Sequence, residues 1–249
     1  MKTQCIIAAI VGLALPHLAG QAQAVEIKVL ASTAVKTTLE ELGPQYEKAT
    51  GNKIEFTFAP ATVLKTKIDQ GAAFDVAILT APVAESLAGE GKIDTSRTTI
   101  AHSGIGVAIH KGAPKLDVST TEAFKRALLN AKSVGFTAGG ASGVYLKALF
   151  KKLGIADELK TKLKLLQGPA GEAAASGEVE IGLTQISEIL PYTNAELAGP
   201  LPADVQTYTY FSASVSAVTK DVELAKAFIK FLVAPAAIAV IKAKGMEPG

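Results

Sequence analysis

Three short stretches carry the residue types and spacing that could do chemistry: Ser32-Thr33, Pro60-Ala61-Thr62 and Ala138-Gly-Gly-Ala-Ser-Gly143. Each falls where a strand-like run gives way to a helical one, and each is built from small or hydroxyl-bearing residues. The first N–H groups of a helix have no partner within it and carry a partial positive charge. Several such starts brought to one place therefore hold an anion without any Lys or Arg. Ser32, Thr33, Ala61, Thr62, Ser142, Gly143 and Val144 are the candidate contacts. Taken singly, each stretch also reads as an ordinary N-cap or turn; the recurrence after three strands is what favours a site. The Gly-rich stretch is neither a P-loop nor a GxGxxG, so nucleotide binding lacks a motif.

Other chemistry finds less to work with. Proton transfer needs a carboxylate tuned by its surroundings, and the candidates, Glu172 and Glu188, both read as solvated helix residues. Only two arginines are present, Arg97 and Arg126. Arg126 shares a predicted helix with Phe124 and Leu128 and is expected on the surface; Arg97, in a loop ahead of a crossing strand, is the one to expect near a cleft. His102 and His110 stand in no metal-ligand spacing and read as strand or surface residues. Neither a metal nor a cofactor is expected.

The first residues speak to compartment. Lys2, the apolar run Ile6 to Leu15 and Ala22-Gln23-Ala24 read as an export signal, residues 1–24, cleaved before Val25. The run is shorter than the roughly 20 residues of a spanning helix, and Cys5 precedes it, so neither a membrane anchor nor a lipid attachment site is expected. The mature chain would be periplasmic, lack cysteine and carry nearly balanced charge. Dispersed basic residues exclude nucleic acid as a partner.

The elements that must position the candidate residues follow from periodicity. Glu26 to Ala31 reads as a buried strand; Leu39, Leu42, Tyr46 and Ala49 then recur at helical spacing until Thr50-Gly51-Asn52. Strands are expected over 53–58 and 74–79, with a helix between them closed by Gly71 and another over 82–90. A strand over 104–109 reads as a crossing into a second lobe. There helices over 121–130, 142–153 and 170–176 alternate with strands over 133–136, 162–166 and 180–184. The β-prone segment 205–218 returns the chain to the first lobe, where Asp221 is expected to cap a helix, with a last helix after Pro235. The architecture expected is α/β and two-lobed, with mixed, mainly parallel sheets, flanking helices and a two-strand hinge. Lobe 1 would comprise residues 25–103 and 209–249, and lobe 2 residues 104–208. Ligands of such sheets collect outside the carboxyl ends of the strands.

Val29-Leu-Ala-Ser-Thr-Ala34, Tyr46-Glu-Lys-Ala-Thr-Gly51, Phe56-Thr-Phe58, Gly71-Ala-Ala-Phe-Asp75, and Ser176-Gly-Glu178 ahead of Ile181-Gly182 follow one another in a recognisable order. In order and spacing they resemble the periplasmic molybdate-binding proteins, type II solute-binding proteins of ABC transporters. The resemblance spans essentially the whole mature chain. It implies the type II periplasmic binding protein fold, a monomer, a small anionic ligand held between the lobes, and an ABC permease as partner. Three of the family's hydroxyl positions differ: Ala34 stands for a serine, Pro60-Ala61 for a Ser-Ser pair and Gln185 for a tyrosine. Each lost donor to a charged acceptor removes roughly 1.5–3 kcal/mol, so the ligand expected is not molybdate. Gln185 joins the ligand-binding candidates because it offers donor and acceptor to a less symmetric anion such as a small carboxylate. A second resemblance, carried by Ala141 to Ile155 and Glu180 to Leu190, is to an offshoot of the superfamily that includes a periplasmic aconitate isomerase. It implies a cleft for di- or tricarboxylates, with interconversion of trans- and cis-aconitate as the alternative to transport binding.

Overall fold

The computed structural model describes residues 25–249; the stretch read above as an export signal, with Lys2 and Cys5, lies outside the described residues. In chain order the strands and helices are β1 (Glu26–Ser32), α1 (Lys36–Thr50), β2 (Lys53–Ala59), α2 (Ala61–Asp69), β3 (Val76–Thr80), α3 (Ala81–Gly89), β4 (Thr98–His110), α4 (Thr121–Asn130), β5 (Val134–Thr137), α5 (Ala141–Lys152) and α6 (Ala156–Leu159). They continue with β6 (Leu163–Leu166), α7 (Ala170–Ala175), β7 (Ile181–Gln185), β8 (Ala195–Pro200), β9 (Tyr208–Val215), α8 (Val222–Leu232), α9 (Pro235–Ala243) and β10 (Glu247–Pro248). Leu39, Leu42 and Tyr46 form the buried face of α1, and Gly51 ends it with φ 77°. That left-handed conformation strains any residue with a Cβ, which is why glycine stops the helix here.

The strands form one mixed sheet in the order β2-β1-β3-β9-β4-β7-β5-β6, with β8 and β10 also paired to β4. Parallel ladders join β1 to β2 and β3, and β5 to β6 and β7. Every antiparallel ladder involves β4 or β9. These two strands run alongside each other from Thr98 opposite Ala213 to Gly104 opposite Tyr208, after which β4 continues against β7 and β8. The core divides accordingly. Buried clusters centred on Tyr46 and Phe228, and on Leu64 and Leu79, draw on residues 27–101 and 211–246. Those centred on Phe124 and Phe150, and on Ala170 and Ile189, draw on residues 105–205. The fold is thus two-lobed α/β, with β4 and β9 as the connections.

Some elements differ from the sequence expectation. The first crossing strand has 13 residues and starts at Thr98, not Gly104; its first half, Thr-Thr-Ile-Ala-His-Ser, pairs with β9 along one edge and with β10 at Ala101 and His102 on the other. β8 contains Gly199 and Pro200 and is only half-buried, so nothing in its pattern marks it as a strand. α6 is a single turn. Asp221 does stand at the N-cap of α8, but its side chain makes no capping bond; its own N–H donates to the Thr219 hydroxyl at 3.1 Å.

Candidate functional site

The carboxyl ends of β1 and β7 make the same turn. Ser32 closes β1 with φ −58° and ψ 141°, ahead of a 3-10 turn over Thr33–Val35. Gln185 closes β7 with the same pair of angles, ahead of a 3-10 turn over Ile186–Glu188. Between these turns, and between the starts of α2 and α5, lies a cavity of about 160 Å³. Ser32, Thr33, Ala61, Thr62, Ser142, Val144 and Gln185 all line it. So do Ala34 and Pro60. Gly143 is not on the wall. It is buried beneath it, where a Cβ would stand 2.2 Å from the Thr137 carbonyl oxygen, so the missing side chain is what lets α5 start directly above the end of β5.

Sequence reasoning missed Thr80, Thr137, Gln167, Thr184 and Phe211, which also line the cavity. Thr80 and Thr137 end their strands and Thr184 is next to last in its own, so the rule that ligands gather at strand carboxyl ends could have found them. Two expectations need correction. Arg97 is exposed and is absent from the cavity wall. Glu188 is not a solvated helix residue: it belongs to the 3-10 turn after β7, faces the cavity, and accepts a hydrogen bond from the Thr184 hydroxyl at 2.6 Å. Glu172, by contrast, is exposed on α7, and Arg126 is exposed on α4.

The wall is rich in donors. Among the described residues, the N–H groups of Ala61 and Thr62 at the start of α2, and of Ala141, Ser142 and Gly143 at the start of α5, have no protein acceptor. The Ser32 hydroxyl is buried without a partner. Gln185 directs Nε2 to the hydroxyls of Ser142, at 2.9 Å, and Thr209, at 2.8 Å, while its Oε1 is buried and unpaired. A buried polar atom left unpaired costs about 1–3 kcal/mol, so Ser32 and Gln185 are poised for a partner that the protein itself does not supply. Among the described residues, no Lys, Arg or His lines the cavity, and Glu188 is the one ionisable side chain on its wall. Burial pushes the Glu188 carboxyl above the usual carboxylate range, against the opposing pull of hydrogen bonding from the Thr184 and Thr33 hydroxyls and the Gln185 backbone N–H.

The chain is 30% identical to an aconitate isomerase of a Pseudomonas species over 241 residues, 94% of this chain and 91% of that protein. It is 30% identical to the molybdate-binding protein ModA of Azotobacter vinelandii over 256 residues, 95% of each. The solved periplasmic molybdate-binding protein of Azotobacter vinelandii superposes with a TM-score of 0.78 at 21% identity, covering 90% of this chain and 99% of that one. The model of the bacterial extracellular solute-binding proteins matches residues 27–247, and the chain belongs to that family.

Proposed function

We propose that this protein is a periplasmic solute-binding protein that captures one small anion, a carboxylate or a compact oxyanion, and presents it to an ABC permease. The observation that carries the reading is the convergence of unpaired N–H groups from α2 and α5 with the buried Ser32 hydroxyl on one cavity. Helix starts hold anions through such groups. Size narrows the choice, because a cavity of about 160 Å³ is close to the roughly 150 Å³ that encloses benzene. A mono- or dicarboxylate matches that volume better than a tricarboxylate. Residues 25–103 with 209–249, and residues 104–208, would close on the ligand by bending at β4 and β9; the Thr62 hydroxyl already donates across the mouth to the Gly139 carbonyl at 3.4 Å.

A thermal-shift panel of molybdate, sulfate, phosphate, succinate, citrate and both aconitates tests the proposal. An anion at a hundredfold excess over its Kd stabilises the protein by about 2.7 kcal/mol, so at least one clear upward shift is expected. Absence of any shift across the panel would overturn the reading. With a stabilising anion that carries its own O–H, Gln185→Ala is expected to weaken binding by about 1–3 kcal/mol, roughly 5- to 150-fold, because the free Oε1 loses the hydrogen bond it accepts from the ligand and the Ser142 and Thr209 hydroxyls lose the Nε2 donor that fixes them. Isothermal titration would show it, and an unchanged affinity would remove Gln185 from the site.

One observation favours a second reading. Isomerisation of aconitate needs a group that takes a proton from one carbon and returns it to another, and Glu188 is the one ionisable side chain on the wall. Ultraviolet absorbance of cis- or trans-aconitate incubated with the protein separates the two: conversion supports the isomerase, and recovery of each isomer unchanged supports the binder.

A further inference from the structure

The electrostatics of the cavity contain a conflict that a purely donor-lined anion site would not have. An anion entering it meets the Glu188 carboxyl in a space where, among the described residues, no Lys, Arg or His stands on the wall. The elements packed around Glu188 bring no cation either. The turn at Thr33–Val35 offers a hydroxyl, and α7 presents Gly171 to the Glu188 main chain. Lys36, at the start of α1, lies over the Phe58 ring and beside Glu40, and Lys244, after α9, is paired with Glu41. The other titratable groups nearby are Tyr192 and Glu172, and the charges on Glu172 and Glu188 reinforce burial in raising the Tyr192 hydroxyl. None of these offsets a second negative charge. Two anionic groups sharing one poorly solvated space do not both stay ionised; one of them takes a proton.

Resting on the anion-binding reading above, we infer that an anion occupies this cavity together with one proton, shared between a ligand oxygen and the Glu188 carboxylate. The bond is a single O–H···O contact. In it, either a ligand O–H donates to the carboxylate, or Glu188, having taken a proton from solvent, donates to a fully deprotonated ligand. Glu188 is thereby a specificity-determining residue. Ligands that carry their own acidic or hydroxyl hydrogen, such as hydrogen phosphate or a hydroxy acid, enter with the proton in place. Sulfate, molybdate and succinate above neutral pH must draw it from water. The Gln185 amide beside it, fixed by Ser142 and Thr209, lies within reach of the same ligand.

Titration calorimetry of the mature protein with sulfate, phosphate, succinate and molybdate, each in two buffers of different ionisation heat, counts the protons taken up. For sulfate and succinate the count is expected to approach one per anion once Glu188 is ionised in the free protein. Affinity should then fall about tenfold per pH unit, as linkage to one proton requires. Phosphate should depend less on pH, because it brings a proton of its own. In Glu188→Gln the uptake should vanish and sulfate binding should become independent of pH. A glutamine still reaches back to the Gln185 N–H as a capping partner, so the turn is preserved. Sulfate or succinate binding to the unaltered protein with no proton uptake and no pH dependence up to about pH 9, well above the ordinary carboxylate range, would overturn the inference and leave the anion-binding reading intact. If none of these four anions binds, and citrate and both aconitates fail as well, the anion-binding reading falls and the inference with it.

Discussion

Phe228→Ala is expected to lower the unfolding free energy by about 3–5 kcal/mol, the range for emptying an aromatic site in a close-packed core. Phe228 is fully buried in α8. It meets the Tyr46 ring edge-on at 5.1 Å and the Phe56 ring at 6.3 Å, so it ties the returning C-terminal helix to α1 and β2. The neighbouring clusters of residues 105–205 make no use of it. Phe228 is also absent from the cavity wall, so at temperatures where the variant remains folded its affinity for the stabilising anion should match that of the parent. Urea unfolding followed by titration calorimetry checks both halves. A loss of affinity without a loss of stability would show that α8 reaches the site by a route the packing does not reveal.

Gly171→Ala is expected to cost about 3 kcal/mol, the upper part of the usual range for overpacking, and also to weaken anion binding. Gly171 lies in the first turn of α7, and a Cβ there would stand 2.1 Å from the Glu188 carbonyl oxygen and 3.1 Å from the Ile189 Cα. Those obstacles are main chain, so relief requires moving either α7 or the turn that carries Glu188 and follows Gln185. The turn lines the cavity and α7 follows directly on Pro169, which lines it too, so stability and affinity should fall together. Gly89 is the control. Nothing lies within 4 Å of a Cβ placed there, and alanine at the end of α3 should be neutral or gain a few tenths of a kcal/mol, up to about 1 kcal/mol. Equal losses at Gly89 and Gly171 would mean that close approach is not what the glycine in α7 provides.

The pH behaviour of the free protein follows from Glu188. Its folded-state pKa is raised by burial, so between the unfolded and folded values the native state holds the extra proton. Its contribution to stability is present at acid pH and is lost as pH rises through that window. Glu188→Gln is accordingly expected to gain most in melting temperature, relative to the parent, above the folded pKa, with the gain shrinking in acid.

How much of this was legible in the sequence depends on the kind of signal. The helix over 121–130 is fully predictable because Thr120 caps it, accepting from the Ala123 N–H at 3.1 Å, and Phe124 and Leu128 mark its buried face. The βα units of the first lobe are legible for the same reason: apolar periodicity changes at Ser32, Pro60 and Thr80, where the chain turns. The three donor stretches could be found because a helix start is a local feature, and they converge because the sheet places its strand ends together. Glu188 could not be read correctly, because whether a carboxylate three residues past a strand meets water or a cavity is decided by Thr33, which is more than 150 positions away in the chain. Arg97 failed for the complementary reason. Its loop leads into β4, but the long paired ribbon of β4 and β9 carries the chain some distance before it reaches the site.

A crystal structure of the protein with the anion that shifts its melting temperature most would test the central claim directly. The account predicts density in the cavity between α2 and α5. Anion oxygens should lie about 2.7–3.2 Å from N–H groups among Ala61, Thr62, Ala141, Ser142 and Gly143, with one oxygen at the Ser32 hydroxyl. An anion found elsewhere on the surface, with these donors still facing only water, would contradict it.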